Sequence, residues 1–153
     1  AGPPPGTGAG APDPGEAPPP AGGDAPLPRA ALSVLKKRRD FLAAARALRW
    51  HAPGCVVQGR ARRAEEPAPT PVRVGYTCSK KVGHAVARNR AKRRLRAAAA
   101  EALPRAARPG WDYVLIGRRE DTAARDFRAL VSDVETALAR IHAKADKRRE
   151  SAA

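Results

Sequence analysis

Two kinds of hydrophobic periodicity alternate along the chain after residue 31. Over residues 72–78 apolar and polar side chains alternate, which is typical of a strand with one face on a core. Over residues 86–103 and again over 122–141, apolar residues recur every three or four positions, as they do on one face of a helix. The short apolar run over 113–116 suits a buried strand.

Three further segments complete the prediction. Asp40 can cap a helix over residues 40–49, because apolar residues follow it at helical spacing. The turn Pro53-Gly54 then leads into a strand over 55–60. Residues 60–71 hold three prolines and no apolar period, so we expect an exposed loop.

The ends of the later helices can also be predicted. Pro104 should end the long helix, and Asp121 or Thr122 should cap the last one. Residues 142–153 form a basic polar tail that we expect to fray. Helices that pack on one small sheet make an α/β (α+β) two-layer sandwich.

The composition divides the chain into a tail and one domain. Residues 1–28 contain ten Pro and seven Gly and no Lys or Arg, so they offer little apolar surface to offset the entropy of ordering. We therefore expect a disordered extension over residues 1–31, which is not a signal peptide because it has no apolar run. The domain is expected over residues 32–141.

The charge of the domain indicates the chemical class of its partner. Residues 29–153 carry all 30 Lys and Arg but only 12 of the 15 acids, a net charge of +18. Such self-repulsion is usually tolerated for a polyanion: RNA, DNA or an anionic membrane. No stretch is apolar enough to span a bilayer, and Cys55 and Cys78 suit a reduced core, so we expect a cytoplasmic protein with no membrane partner.

The densest basic segment is ARNRAKRRLR, which holds six basic residues in the nine positions 88–96. On a helix, Arg88, Asn89, Lys92, Arg93 and Arg96 share one broad face, roughly opposite the apolar stripe. Like charges at this spacing destabilise a helix, and acids do not interleave with them. The pattern therefore favours a phosphate-binding face over a solvated one.

Four other basic residues in or near this helix lie outside its basic face. By helical geometry Arg94 lies at the edge of the apolar stripe and should take no part in binding, and Arg90 also falls off the basic face. Lys80 and Lys81 lie between the strand over 72–78 and the helix. Together with the free N–H groups of the helix start, they could bind one anion.

The string SKKVGHAVARNRAKRRLR resembles the protein component of bacterial ribonuclease P. It is preceded by VRVGYT and followed by WDYVLIGR, and LKKRRDF lies upstream, so four motifs occur in the order that this family shows. The resemblance covers about residues 32–141 and includes the helical RNR signature at Arg88, Asn89 and Arg90. The extension over residues 1–28 lies outside the family pattern.

The resemblance implies a function, a fold and a set of site residues. The family's protein assists a catalytic RNA, which with its magnesium ions removes the 5′ leader of precursor tRNA. It implies a small α/β sandwich with a left-handed strand–helix–strand crossover, and a protein that is monomeric outside the holoenzyme. The RNA-binding residues it indicates are Lys80, Lys81, Arg88, Asn89, Arg90, Lys92, Arg93 and Arg96.

For the single-stranded leader, the resemblance implies a cleft between the sheet and the first helix. Phe41 matches the family's aromatic residue in that cleft, although a core role for it is equally compatible with the sequence. A second aromatic, common four residues on, is replaced by Ala45, so Tyr76 or Trp50 could supply stacking instead.

Two other functions remain open from the sequence. Catalysis by the chain itself is disfavoured, because its acids do not cluster and its three histidines have no neighbouring acid, so we expect no catalytic residue and no metal ligand. A ribosomal protein that uses the same helix on structured RNA is the alternative. A binder of duplex DNA ranks third, because no helix-turn-helix or zinc spacing is visible.

Overall fold

The computed structural model describes residues 26–63, 66 and 70–152. The helices and strands in chain order are β1 (Leu32–Val34), α1 (Arg38–Ala45), β2 (Leu48–His51), β3 (Cys55–Ala61), β4 (Val72–Cys78), α2 (Ala85–Ala106), β5 (Trp111–Gly117), α3 (Arg119–Ala124) and α4 (Phe127–Ala152). The strands form one sheet in the order β1-β4-β5-β3-β2. β4 runs parallel to β1 and to β5, whereas β3 is antiparallel to both β5 and β2.

The central strand β5 separates two hydrophobic clusters. Tyr113 and Leu115 are fully buried on the side of α2 and α4, in the larger cluster. Val114 and Ile116 point to the other side, where they pack with Phe41 on α1. Because successive side chains of a strand point to opposite faces, one short strand supports both layers of the protein. The mixed α/β class predicted from the sequence is confirmed.

The connection from β4 through α2 to β5 joins two parallel neighbours in the sheet. This is the strand–helix–strand unit that the family resemblance implied. Its left hand stays a prediction.

The helix predicted over residues 40–49 was wrong in its second half. α1 ends at Ala45, and Leu48 begins β2, which pairs with β3. Leu48 and Trp50 face the larger cluster while Arg49 and His51 are exposed. Two apolar residues two positions apart fit a strand, but Leu48 also continues the helical spacing of α1, so the pattern was ambiguous.

The residues just before β1 are regular in the described structure, although a disordered extension was expected over residues 1–31. β1, only three residues long, was not predicted, and a 3-10 turn over Arg29–Ala31 precedes it. The amide of Leu27 donates a hydrogen bond to the carbonyl of Pro104 at 2.6 Å. The disorder expected over residues 1–31 therefore does not extend to residues 26–31, and the rest of that prediction lies outside the described residues.

The last predicted helix is divided in two. Thr122 does not cap it but lies within α3, where its hydroxyl donates to the carbonyl of Gly54. Asp126 caps α4 instead, by accepting from the amide of Ala129. The segment predicted as one helix therefore contains two helices, each with its own amino-terminal end. Only α4 carries the apolar periodicity that predicted a helix here.

Residues 142–153 were expected to fray, but α4 continues to Ala152. Arg108 anchors this segment through a bidentate pair with Asp146, at 2.9 and 3.0 Å. α2 likewise continues two residues beyond Pro104, to Ala106. Anchoring by a distant side chain is invisible to local sequence patterns, which explains the error at the end of α4.

A fully buried carboxylate ties the sheet to α1. Asp112 on β5 accepts two hydrogen bonds from Arg73, at 2.6 and 2.9 Å, and it also pairs with Arg62 and Arg60. Arg73 reaches on to Asp40 on α1, at 3.3 Å. A buried charge is tolerated only when it is paired and hydrogen-bonded, and here its partners come from β3, β4 and the loop after β3.

A second buried polar group joins α4 to β5. The Nε2 atom of His142 lies 2.6 Å from the hydroxyl of Tyr113, within hydrogen-bond distance, and this hydroxyl also accepts a hydrogen bond from the amide of Arg108. His142 is only 6% exposed, and Trp111 packs edge-on against it at 5.0 Å. The pKa of His142 is lowered to about 4, mainly by burial and also by the nearby Arg108 charge, while Asp146 partly opposes the shift.

The shifted pKa of His142 predicts a pH-dependent stability. The folded state holds this ring neutral below its ordinary pKa of 6.5, so the folded state binds fewer protons than the unfolded one and stability falls from pH 6.5 to pH 4. We expect His142→Gln, which cannot titrate, to lose less stability over this range. The difference should be on the order of 2–3 kcal/mol in urea unfolding at pH 7 and pH 4. Equal losses for the two proteins would contradict this role.

Candidate RNA-binding surfaces

The buried face of α2 determines which of its charged residues project outwards. Ala91, Leu95, Ala98, Ala99 and Ala102 are all buried. Small alanines let the helix lie close to the sheet and to α4, and the long basic side chains occupy the remaining surface. The apolar stripe predicted from the sequence is confirmed.

The basic face of α2 is not neutralised by the protein. Asn89, Arg93 and Arg96 are exposed, and Lys92 is half-buried. Among the described residues, none of these cations forms an ion pair with an acid. Several close cations without acids create a local positive potential that attracts phosphate groups.

Arg88 has a structural contact as well as a place beside this face. It is half-buried, and its guanidinium donates to the carbonyls of Ser79 at 3.3 Å and Cys78 at 3.5 Å. It therefore fixes the start of α2 to the end of β4. Lys80 is exposed in the 3-10 turn Lys80–Val82, which also contains Lys81.

Arg90 and Arg94 lie on the side of α2 that faces α3. Arg94 donates to the carbonyls of Thr122, at 3.0 Å, and Arg125, so it joins two helices, as its predicted position at the edge of the stripe suggested. Arg90 is exposed and lines a hollow between α2 and α3, together with Arg119. The RNR signature therefore divides between two sides of the helix.

A groove of about 460 Å³ lies on the other face of the sheet, along α1. Its lining residues are Lys36, Arg38, Phe41, Leu42, Ala45, Gln58, Tyr76, Thr77, Val114 and Ile116. The lysine and arginine are exposed at its edge, and the apolar residues form its floor and one wall. An apolar groove with cations at its edge suits an extended single strand, whose bases stack while its phosphates stay near the charges.

The position of Phe41 depends on a glycine in β4. A Cβ atom at Gly75 would lie 2.6 Å from two atoms of the Phe41 ring, so any larger residue would displace the ring. The ring is half-buried and packs with Leu35, Val114 and Ile116. Phe41 is therefore both a core residue and part of the groove, which the sequence had left as two alternatives.

Gln58 is a polar residue of this groove that sequence reasoning missed. It lies on β3, is 4% exposed, and its amide has no hydrogen-bond partner among the described residues. A buried amide without a partner is costly, so this group can accept or donate to a ligand. Its signal in the sequence was a glutamine within the apolar run CVVQGR.

Tyr76 was expected to be a possible stacking residue of the cleft. Its partner across β4 and β5 is Leu115, which faces α2, and the guanidinium of Arg96 lies over its ring at 5.4 Å. Burial raises the pKa of Tyr76 to about 12. The ring thus packs on the side of α2 although the residue also borders the groove, and this placement disfavours stacking by Tyr76. The other substitute, Trp50, lies beneath α4.

The described carboxylates do not form a metal site. No three His, Cys, Asp or Glu residues in the described ranges lie close enough to hold an ion. Asp112, Asp133 and Asp146 are each paired with arginine. Among the described residues, these paired carboxylates do not offer a magnesium ion a set of free ligands.

An α/β sheet with an uncompensated basic helix on one face and an apolar groove edged with cations on the other defines an RNA-binding protein. A comparison with family models matches residues 30–142 to Ribonuclease P. The chain belongs to the ribonuclease P protein family. It is an RNA-binding subunit that acts in tRNA processing as part of an endoribonuclease, so the choice left open against a ribosomal protein is decided.

Individual relatives agree with this assignment. The chain is 61% identical over 112 residues to the ribonuclease P protein component of Ruegeria pomeroyi. The aligned region covers 73% of this chain and 88% of the relative. It is 47% identical over 115 residues to that of Paramagnetospirillum magneticum, with 74% and 86% covered.

Solved structures support the fold. The RNase P protein of Staphylococcus aureus matches with a TM-score of 0.53 at 24% identity, covering 69% of this chain and 91% of that one. The RNase P protein of Thermotoga maritima matches with the same TM-score and identity, covering 67% and 91%. No helix in the described part of the chain is long and apolar enough to cross a membrane.

Two neighbouring arginines of α2 provide a test of the basic face. Arg93 is exposed and without a partner acid, so Arg93→Gln should leave stability unchanged and flatten the slope of log K against log salt for RNA binding by about 0.7–0.9. Arg94 is bonded to two carbonyls, so Arg94→Gln should destabilise the fold by about 1–3 kcal/mol with a smaller change of slope. Salt titration of RNA binding and urea unfolding measure the two effects. If Arg94→Gln changes the slope as much as Arg93→Gln does, Arg94 also contacts RNA and the basic face is wider than the residues assigned to it.

Proposed function

We propose that the chain positions two RNA molecules on opposite faces of its sheet. The basic face of α2 binds the catalytic RNA, and the groove along α1 receives the single-stranded 5′ leader of precursor tRNA. One observation carries the proposal: the side chains of β5 alternate between the layer of α2 and the groove, so both surfaces rest on the same strand. The proposal places the leader and the catalytic RNA a single sheet apart.

Within the groove, Phe41 is the aromatic group that we propose stacks on a base of the leader. Stacking of this kind tolerates every base, because each has a π-face. Gln58 can in addition form hydrogen bonds with the edge of a base or with a sugar, since its amide has both donors and an acceptor. Ala45 provides no second ring, so recognition in this chain depends more on the amide.

On the RNA side, we propose that Lys80, Lys81 and Arg90 join the basic face of α2 in contacting the catalytic RNA. The exposure of Lys80 and Arg90 and the resemblance of this segment to the family motif support this assignment. The chemistry belongs to the RNA and its magnesium ions, while the chain neutralises phosphates. We further propose that the chain is cytoplasmic and is monomeric before it joins the RNA.

The central test is tRNA processing at low magnesium. Adding the full chain to a bacterial ribonuclease P RNA should lower the magnesium concentration needed to remove the leader, because protein cations replace metal ions between two polyanions. Cleavage of a precursor tRNA is measured across a magnesium series, with and without protein. An unchanged magnesium requirement would overturn the proposed positioning role.

A substitution in the groove tests leader binding separately. Phe41→Ala should weaken binding of leader-bearing tRNA to the holoenzyme by about 1–3 kcal/mol, the usual contribution of one stacked base, and leave binding of mature tRNA unchanged. Phe41→Leu is the matched control for packing, because it keeps an apolar side chain over Gly75 but has no ring. It should preserve the fold and still lose leader affinity. Equal losses for both tRNAs would assign Phe41 a purely structural role.

A further inference from the structure

The last turns of α4 carry a second group of cations, far along the chain from the RNR signature. Arg140, Lys144, Lys147 and Arg148 are spaced so that they lie on one side of the helix, and all four are exposed. We call them the α4 stripe. Among the described residues, none of the four forms an ion pair.

The stripe is held against the edge of the sheet. Arg140 and Lys144 lie over the ring of Trp50 on β2, at 5.6 and 5.2 Å from its centroid. Lys144 also donates to the carbonyl of Arg49, at 3.3 Å. These contacts orient two of the cations, and they cover the aromatic ring that could otherwise stack on a base. A surface of this kind contacts phosphates rather than unpaired bases.

The acids near this segment do not neutralise the stripe. Asp146 forms ion pairs with Arg108 and Arg149 on another side of α4. Glu150 forms no ion pair among the described residues. A solvated helix face usually interleaves acids and bases at i,i+3 and i,i+4 spacing. Here the paired charges and the unpaired cations are separated around the helix.

The stripe and the basic face of α2 lie over different parts of the sheet. α2 lies over β4 and β5, whereas α4 lies over β3 and β2, at the other end of the sheet. Because Trp50 is on the edge strand β2, the stripe lies on the side of α4 remote from α2. The layer of helices therefore presents cations along two opposite borders.

We propose that the α4 stripe binds the phosphate backbone of a double-helical segment of the catalytic RNA, separate from the segment bound by α2. The inference rests on the proposed function, because the helix layer is the side that it assigns to the catalytic RNA. The leader occupies the opposite face of the sheet, and the covered ring of Trp50 does not suit a single strand. The two borders together hold the RNA from both sides of the helix layer.

A triple substitution tests this surface against a variant with the same net charge. Lys144→Gln, Lys147→Gln and Arg148→Gln together remove three charges and leave Arg140 on Trp50 in place. The control combines Arg29→Gln, Arg46→Gln and Arg105→Gln, three exposed arginines that lie outside the stripe and the basic face of α2 and form no ion pair among the described residues. The measurement is the dissociation constant of the full chain and the RNA subunit, without tRNA, over a series of KCl concentrations.

The stripe variant should bind the RNA subunit about tenfold or more weakly at 0.1 M salt, with a slope flattened by about 2–3, whereas the control should change by much less. Equal changes in both variants would show a general effect of net charge and overturn the proposal. Unchanged binding of the RNA subunit but weaker binding of precursor tRNA would assign the stripe to the substrate and also overturn it. Processing by the unsubstituted chain at low magnesium tests the proposed function independently of these outcomes.

Mapping from a single thiol locates the contact. Cys55 and Cys78 are both buried, so Ser151→Cys, at the end of the stripe, and Asn89→Cys, on α2, each provide one accessible thiol. A tethered iron chelate should cleave the catalytic RNA at a helical segment from position 151, and at a different segment from position 89. Overlapping cleavage from the two positions, or none from position 151, would contradict a separate contact.

Discussion

The position of α1, and with it the groove, depends on one buried carboxylate, Asp112. It lies at the start of the central strand and is paired with arginines of β3, β4 and the following loop. Through Arg73 and Asp40 the same network fixes α1, and with it the wall of the groove. Removing one member of such a network leaves uncompensated buried charge, which is far more destabilising than losing an exposed pair. The position of the groove wall formed by α1 therefore depends on this network.

The network also changes how the charge of the chain should be interpreted. A net charge of +18 over residues 29–153 indicates a polyanionic partner, but the count does not say which cations are available to it. Arg62 and Arg73 are nearly buried around Asp112, and Arg94 and Arg125 hold α3 and α4 in place. Most of the cations outside these contacts lie on α2, on α4 and in the segment 36–39 beside the groove. Binding depends on that remainder, which only the folded structure separates from the rest.

Local patterns predicted the elements whose periodicity is strong and unambiguous. The alternation of β4 and the apolar stripe of α2 are of this kind. β1 is too short to carry a pattern, and Leu48 fits a helix as well as a strand. Gln58 and Asp112 were both visible as polar residues within apolar strands. The role of Asp112 depends on arginines distant in sequence, and the burial of Gln58 depends on how α1 packs over the sheet. The missed groups are therefore those whose energetics are set by tertiary contacts.

Gly75 and Ala45, which have no functional groups, determine the shape of the groove. Gly75 leaves room for the Phe41 ring to lie on β4, and Ala45 leaves the neighbouring turn of α1 without a second ring. Phe41 packs against the core on one side, so less of its ring is free for a ligand than in an exposed aromatic. Since stacking does not distinguish bases, any sequence preference in this groove has to come from a group with directional hydrogen bonds. Gln58, buried and without a partner among the described residues, is such a group.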